Sequence, residues 1–126
     1  DYLKNASKDK NSYFTCLIKT LPEQGNYNAA MIIDQLAQEE NLNEEVLLSL
    51  TATLKQLKYY AIHLSLRMIE NKEFFSEKIE ANLSELLEAQ NFFIARRAYG
   101  FLKDRKLSAQ TIGKLASFAK KHEDRL

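Results

Sequence analysis

Cysteine, proline, glycine and tryptophan are nearly missing from this chain: its 126 residues hold one Cys, one Pro, three Gly and no Trp. A single cysteine excludes an internal disulfide and, with it, the disulfide-stapled secreted domains. An intracellular location is therefore expected, in cytoplasm, nucleus or an organelle matrix. So few Gly and Pro leave little of the turn chemistry that a many-stranded fold needs, and runs of β-branched residues between turn signals are absent. These absences favour an all-α fold. No stretch comes near the roughly 20 consecutive apolar residues required to cross a bilayer, so no membrane insertion is expected.

Recognisable catalytic chemistry is missing too. The chain has no HExxH, no CxxC, no Gly-rich phosphate loop and no nucleophile elbow. Cys16 has no histidine near it in sequence and reads as a small buried hydrophobe. His63 has Tyr59, Tyr60, Leu66 and Arg67 at the helical spacings where a second metal ligand would sit, and none of these residues serves in a zinc site. Glu39, Glu40, Glu44 and Glu45 cluster at a turn, but without the alternating oxygen ligands and central Gly of a calcium loop. No catalytic residue, metal ligand or cofactor is assigned, and the chain reads as a non-enzyme. It begins with Asp rather than Met, and is taken as an excised piece of a longer protein. Residues 1–10 are expected to form a polar tail or the end of a preceding helix, and residues 11–126 one helical-repeat domain.

What is present is a period. Displaced by 33, landmark residues fall on one another. Leu17 meets Leu50, Leu83 and Ala116, and Leu21 meets Leu54 and Leu87. In alternate helices Tyr27 meets Tyr60 and Phe93, Ala29 meets Ile62 and Ala95, Ile33 meets Leu66 and Tyr99, and Leu36 meets Ile69 and Leu102. A fixed period near 33 is the signature of a helical solenoid, in which a helix pair buries its open face on the next pair. The expected fold is a right-handed α-solenoid of about three and a half antiparallel helix pairs.

The local signals place the helices. Phe14, Leu17, Ile18 and Leu21 make a stripe at i, i+3, i+4, i+7 on a helix over Asn11–Leu21, which Pro22 ends. A second helix near Tyr27–Glu39 is apolar on most sides, Met31 and Ala37 included, and is expected to be buried on several faces. A tight connection at Asn41–Asn43 follows. Asn43, Ser76 and Ser108 are caps for the third, fifth and seventh helices. Leu42 with Leu47, and Leu107 with Ile112, stand at hydrophobic-staple positions. The register demands a break near Gln56–Lys58, although no Gly or Pro marks it. The fourth helix, Tyr59–Asn71, carries Tyr60, Ile62, Leu66 and Ile69. Ile79, Leu83, Leu86 and Leu87 face inward from the fifth. The sixth, Phe92–Lys103, carries Phe93, Ala95, Tyr99 and Leu102, with Gly100 expected to serve close helix packing. Ile112, Leu115, Ala116 and Ala119 form the stripe of the seventh.

A net charge of +1 hides an uneven distribution. Residues 1–90 hold 9 Lys/Arg against 14 Asp/Glu, a balance of −5, whereas residues 91–126 hold 9 against 3, a balance of +6. The basic end suits an acidic partner or a phosphate backbone.

The stretch SYFTCLIKTLPEQGNYNAAMIIDQLAQEENLN resembles one pentatricopeptide unit in its aromatic-then-Leu-Ile first helix, Gly-Asn turn and Ala-containing second helix. More broadly the units over Ser12–Gln110 are similar to the pentatricopeptide and tetratricopeptide class of helix–turn–helix repeats. The tetratricopeptide resemblance implies a surface for a peptide, another protein or an intersubunit helix. The pentatricopeptide one implies single-stranded RNA, read by Cys16, Ser49 and Asn82 early in each unit and by Glu44, Glu77 and Gln110 at the unit ends. The leading expectation is a non-catalytic protein-interaction or scaffolding module. RNA binding is the alternative, with Arg96, Arg97, Lys103, Arg105, Lys106 and Lys114 as phosphate contacts beside Ser49 and Asn82. Tyr13, Tyr59, Phe74 and Phe92 lie off the main stripes and stand as candidate partner anchors.

Overall fold

The computed structural model describes residues 2–39, 42–72 and 76–125. Among these, every regular element is helical: α1 (Tyr2–Thr20), α2 (Asn26–Gln38), α3 (Glu44–Thr53), α4 (Tyr59–Glu70), α5 (Glu77–Ser84), α6 (Phe92–Leu102) and α7 (Ala109–Lys121). They fall into two compact units, Asp1–Phe74 and Phe75–Leu126.

In the first unit, like packs on like. The odd-numbered helices α1 and α3 lie against each other, as do the even-numbered α2 and α4. This is the packing of a generic helical repeat. The core between them is Phe14, Ile18, Leu21, Ile33, Leu36, Val46, Leu47, Leu50, Leu54, Leu66 and Ile69, all buried. Leu42 and Leu47, the first staple pair, are both buried. Equivalent places in the two repeats are also tied by polar contacts. The Asn43 N–H donates to Asn11 Oδ1 at 3.3 Å and the Lys72 ammonium donates to the Glu39 carbonyl, while Lys10 pairs with Glu39 at 2.8 Å within the first repeat. In the second unit α5 packs on both α6 and α7, around Ile79, Leu83, Leu86, Leu87, Ala98, Leu102, Leu115 and Phe118.

The turn inside each repeat is built the same way, which explains why it needs no glycine. A 3-10 turn begins with a buried leucine at Leu21 or Leu54, or with Glu85 ahead of buried Leu86. One extended residue follows (Gln24, Leu57, Ala89), and its N–H donates back to the carbonyl of Leu21, Leu54 or Leu86 at 3.1 Å. The cap of the even-numbered helix follows, directly in the first two turns (Gly25, Lys58) and after Gln90 in the third (Asn91). All three have negative φ, and no described residue has a positive one, so Lys58 replaces Gly25 without strain. The break expected near Gln56–Lys58 is there. The caps of the odd-numbered helices are the expected ones: Asn43 accepts from the Val46 N–H, Ser76 from Ile79 and Ser108 from Thr111.

Several expectations are corrected. The odd-numbered helices do not keep a strict 33-residue spacing. Their caps run Asn43, Ser76, Ser108, a step of 33 and then 32, and Asn11 stands 32 before Asn43. A slip of one residue turns a helix face by about 100°. The buried equivalents are therefore Ile18, Leu50, Leu83 and Leu115, and not Leu17, which is half-buried, or Ala116, which is exposed. For the same reason α7 buries Thr111, Leu115 and Phe118, whereas Ile112 of the proposed staple is 54% exposed. The first helix starts at Tyr2 and not near Asn11. Helix α2 buries only Ala29, Ile33 and Leu36; Met31 and Ala37 are exposed, so this helix has one inner face. Cys16 is exposed rather than buried. Glu40, Asn41 and Phe74 lie outside the described residues.

Gly100 is another correction. An added Cβ there meets nothing within 4 Å, so close packing is not its role. It lies in the interior of α6 with ordinary negative φ. Gly100→Ala is expected to raise stability by about 1 kcal/mol through backbone entropy alone, measured as a higher urea midpoint with an unchanged slope.

Candidate interaction surfaces

The second residue of each even-numbered helix is an exposed aromatic. Tyr27 is 77% exposed, Tyr60 54% and Phe93 57%. These are the aromatics that match at period 33. They precede the buried Ala29, Ile62 and Ala95 by two residues, which is about 200° around the helix, so burying one turns the other to solvent. Met31, one turn beyond Tyr27, is also exposed, which extends the apolar surface of α2. Of the anchors taken from sequence, Tyr13 and Tyr59 are exposed, and Tyr59 meets His63 edge-on at 4.5 Å. Phe92 is instead packed, with Phe118 at 6.1 Å and His122 at 4.9 Å.

The second unit carries a cleft of about 830 Å³ between α7 on one side and the start of α6 with its preceding turn on the other. Its charged lining is Lys114, Lys121 and Arg125 against Glu88, with His122 in the wall. Neither lysine has an ion-pair partner among the described residues. Desolvation, and then the charges of Lys121 and Arg125, hold the His122 imidazole below the usual range. The aromatic floor is already occupied. The Arg125 guanidinium lies over the Phe92 ring at 3.6 Å, and Phe118 is buried beneath Tyr99, His122 and Phe92.

A smaller cavity of about 400 Å³ shares Gln110 and Lys114 with the cleft and is otherwise acidic, lined by Glu77, Glu80 and Glu85. Glu80 is buried. Its carboxylate accepts from the Ser108 N–H at 2.9 Å and the Ser108 hydroxyl at 3.1 Å, and Thr111 adds a third bond. Burial opposes its ionisation, but the bonds from Thr111 and Ser108 outweigh burial and hold the carboxyl below the usual range. This clip fixes the start of α7 on α5.

Of the residues proposed for RNA contact, Lys114 and the unit-end Gln110 line the cleft. Arg96, Lys103 and Lys106 are exposed elsewhere on the second unit, and Arg97 is half-buried. Arg105 lies over the Phe101 ring at 4.2 Å and donates to the Phe101 carbonyl. Ser49 and Asn82 are half-buried, in α3 and α5. Sequence reasoning missed the cleft, although Phe118, His122 and Arg125 at i, i+4, i+7 were the readable signal. Among the described residues no three His, Cys, Asp or Glu side chains gather as a metal site, and no helix is long and apolar enough to cross a membrane. Comparison with protein families, curated proteins and solved structures finds no match to this chain.

Proposed function

We propose that this chain is a non-catalytic protein-interaction module of the helical-repeat kind, serving as a scaffold surface in a larger assembly. The observation that carries this reading is the recurrence of a large exposed aromatic at one position of successive repeats: Tyr27, Tyr60 and Phe93. Buried aromatics need no partner, whereas exposed ones are the commonest anchors of protein interfaces. Tyr27→Ser, Tyr60→Ser and Phe93→Ser are each expected to change stability by no more than about 0.5 kcal/mol. The triple variant is expected to lose most of the protein partners that the immobilised chain retains from a cell extract. Retention unchanged in the triple variant refutes the reading.

Single-stranded RNA is the second reading, favoured by the +6 balance of residues 91–126. It predicts micromolar binding of a mixed single-stranded RNA pool, weakening steeply with salt as phosphate counterions are released. Fluorescence anisotropy at two salt concentrations decides it. The −5 balance of residues 1–90 supports the protein reading, since a phosphate backbone tracking the repeats would run along an acidic stretch.

A further inference from the structure

The geometry of the second unit points to a specific occupant: we propose that the cleft between α6 and α7 receives an acidic amphipathic helix from a partner protein. The inference rests on the protein-interaction reading and adds a site and a ligand chemistry to it. Length is the first argument. The α7 wall runs through Gln110, Gly113, Lys114, Ser117 and Lys121, one face along nearly the whole of a 13-residue helix, or about 20 Å, and Arg125 extends it from the 3-10 turn that follows. A helix laid alongside finds contacts over all of that length.

Charge is the second argument. Among the described residues neither Lys114 nor Lys121, seven apart on α7, has an ion-pair partner, and with Arg125 just past the helix end they face Glu88 as the sole acid of the described lining. Carboxylates seven residues apart on an incoming helix lie two turns apart on one face and match Lys114 and Lys121. The uncharged lining mixes apolar or small residues, Leu87, Ala89, Ala95 and Gly113, with Gln90, Gln110 and Ser117. A Cβ at Gly113 would meet nothing within 4 Å, so this wall is open to an incoming backbone and its apolar side chains.

A nucleic acid fits less well. Base recognition without pairing depends on open aromatic faces. The Phe92 face is covered by Arg125 at 3.6 Å, and Phe118 is 5% exposed. The rings form a packed floor rather than a stacking platform.

The probe is a fluorescein-labelled peptide of about 14 residues, matched to the length of α7, with Leu on one helical face and Glu at seven-residue spacing. Titrated against the full chain, it is expected to bind with a Kd on the order of micromolar. Lys114→Glu/Lys121→Glu is expected to weaken it at least about ten-fold. Gly113→Gln fills the cleft with a better helix former and is expected to weaken it comparably at unchanged helicity. Binding also brings carboxylates beside His122, which otherwise faces Lys114, Lys121, Arg125 and Glu88. The imidazole titration followed by NMR is therefore expected to move to higher pH.

Equal binding by both variants overturns the proposal, as does equal binding of a peptide with Gln in place of Glu. Displacement of the peptide by a single-stranded RNA oligonucleotide at lower concentration assigns the cleft to nucleic acid and overturns it as well. Self-association abolished by Lys114→Glu/Lys121→Glu would make the occupant a second copy of the chain and also sink it. Failure of the unmodified chain to bind the peptide, with capture through Tyr60 intact, refutes the cleft while leaving the interaction reading standing.

Discussion

Glu80→Ala is expected to destabilise the second unit by about 2–4 kcal/mol. Three donors converge on this one carboxylate: the Ser108 N–H, the Ser108 hydroxyl and Thr111. Removing it leaves the Ser108 N–H without its acceptor. The Ser108 hydroxyl also accepts from the Thr111 N–H at 3.4 Å as the cap of α7, so the loss spreads to the start of the helix. Hydrogen bonds to an ionised group contribute about 1.5–3 kcal/mol each, less the cost of burying the charge. Glu80→Gln keeps the shape and one acceptor, and is expected to cost about half as much. The acid dependence follows from the depressed carboxyl. Between its folded-state value and its ordinary value of 4.5, the unfolded chain binds more protons than the folded one. The stabilisation is therefore complete above 4.5 and is lost as pH falls through the folded-state value. Urea unfolding at neutral pH and in acid checks both points. The Glu80→Gln protein should show a shallower acid loss than the parent, and identical acid limbs would remove Glu80 from the account.

Such a residue is hard to read from sequence because acids in the first turn of a helix are ordinarily there for the dipole. Glu77 and Glu80 both look like this, and only Glu80 is buried. The even-numbered helices were legible because their spacing is a strict 33. Ala29, Ile62 and Ala95 are all buried, as are Leu36, Ile69 and Leu102. The break before Tyr59 was found through that register with no Gly or Pro to mark it. The odd-numbered helices were legible in their caps but not in their faces. Leu17 and Ile18 are equally apolar neighbours, and composition cannot choose between them. The choice is made by the 32-residue step from Asn11 to Asn43, joined across the two repeats by a hydrogen bond. Tyr27, Tyr60 and Phe93 show the converse problem. Their recurrence is real, but a repeat conserves its outer positions in register as faithfully as its inner ones, so period alone does not say which side a residue faces. The cleft depends on Phe118 and Arg125, whose role arises only when α7 comes beside the start of α6.

Leu50→Ala is expected to give the largest loss in the first unit, about 3–5 kcal/mol. Leu50 is fully buried in α3, which packs on α1. Truncation removes three heavy atoms of apolar contact and leaves a cavity that two packed helices close only in part. The register sharpens the test. If Ile18 and Leu50 are equivalent core positions, Ile18→Ala costs a similar amount, because Ile18 is also fully buried. Leu17→Ala, at the position a strict 33-residue spacing selects, is expected to cost less than about half as much, since Leu17 is only half-buried and its loss opens a surface notch rather than a cavity. Leu83→Ala is the matching experiment in the second unit, and Ala116→Leu on the exposed side of α7 should stay within about 0.5 kcal/mol. Urea midpoints at constant slope give each difference. A Leu17→Ala loss equal to that of Ile18→Ala would put both side chains in the core and restore the strict 33-residue spacing of the odd-numbered helices. A small loss at Leu17 with large ones at Ile18 and Leu50 fixes the step between the first two repeats at 32.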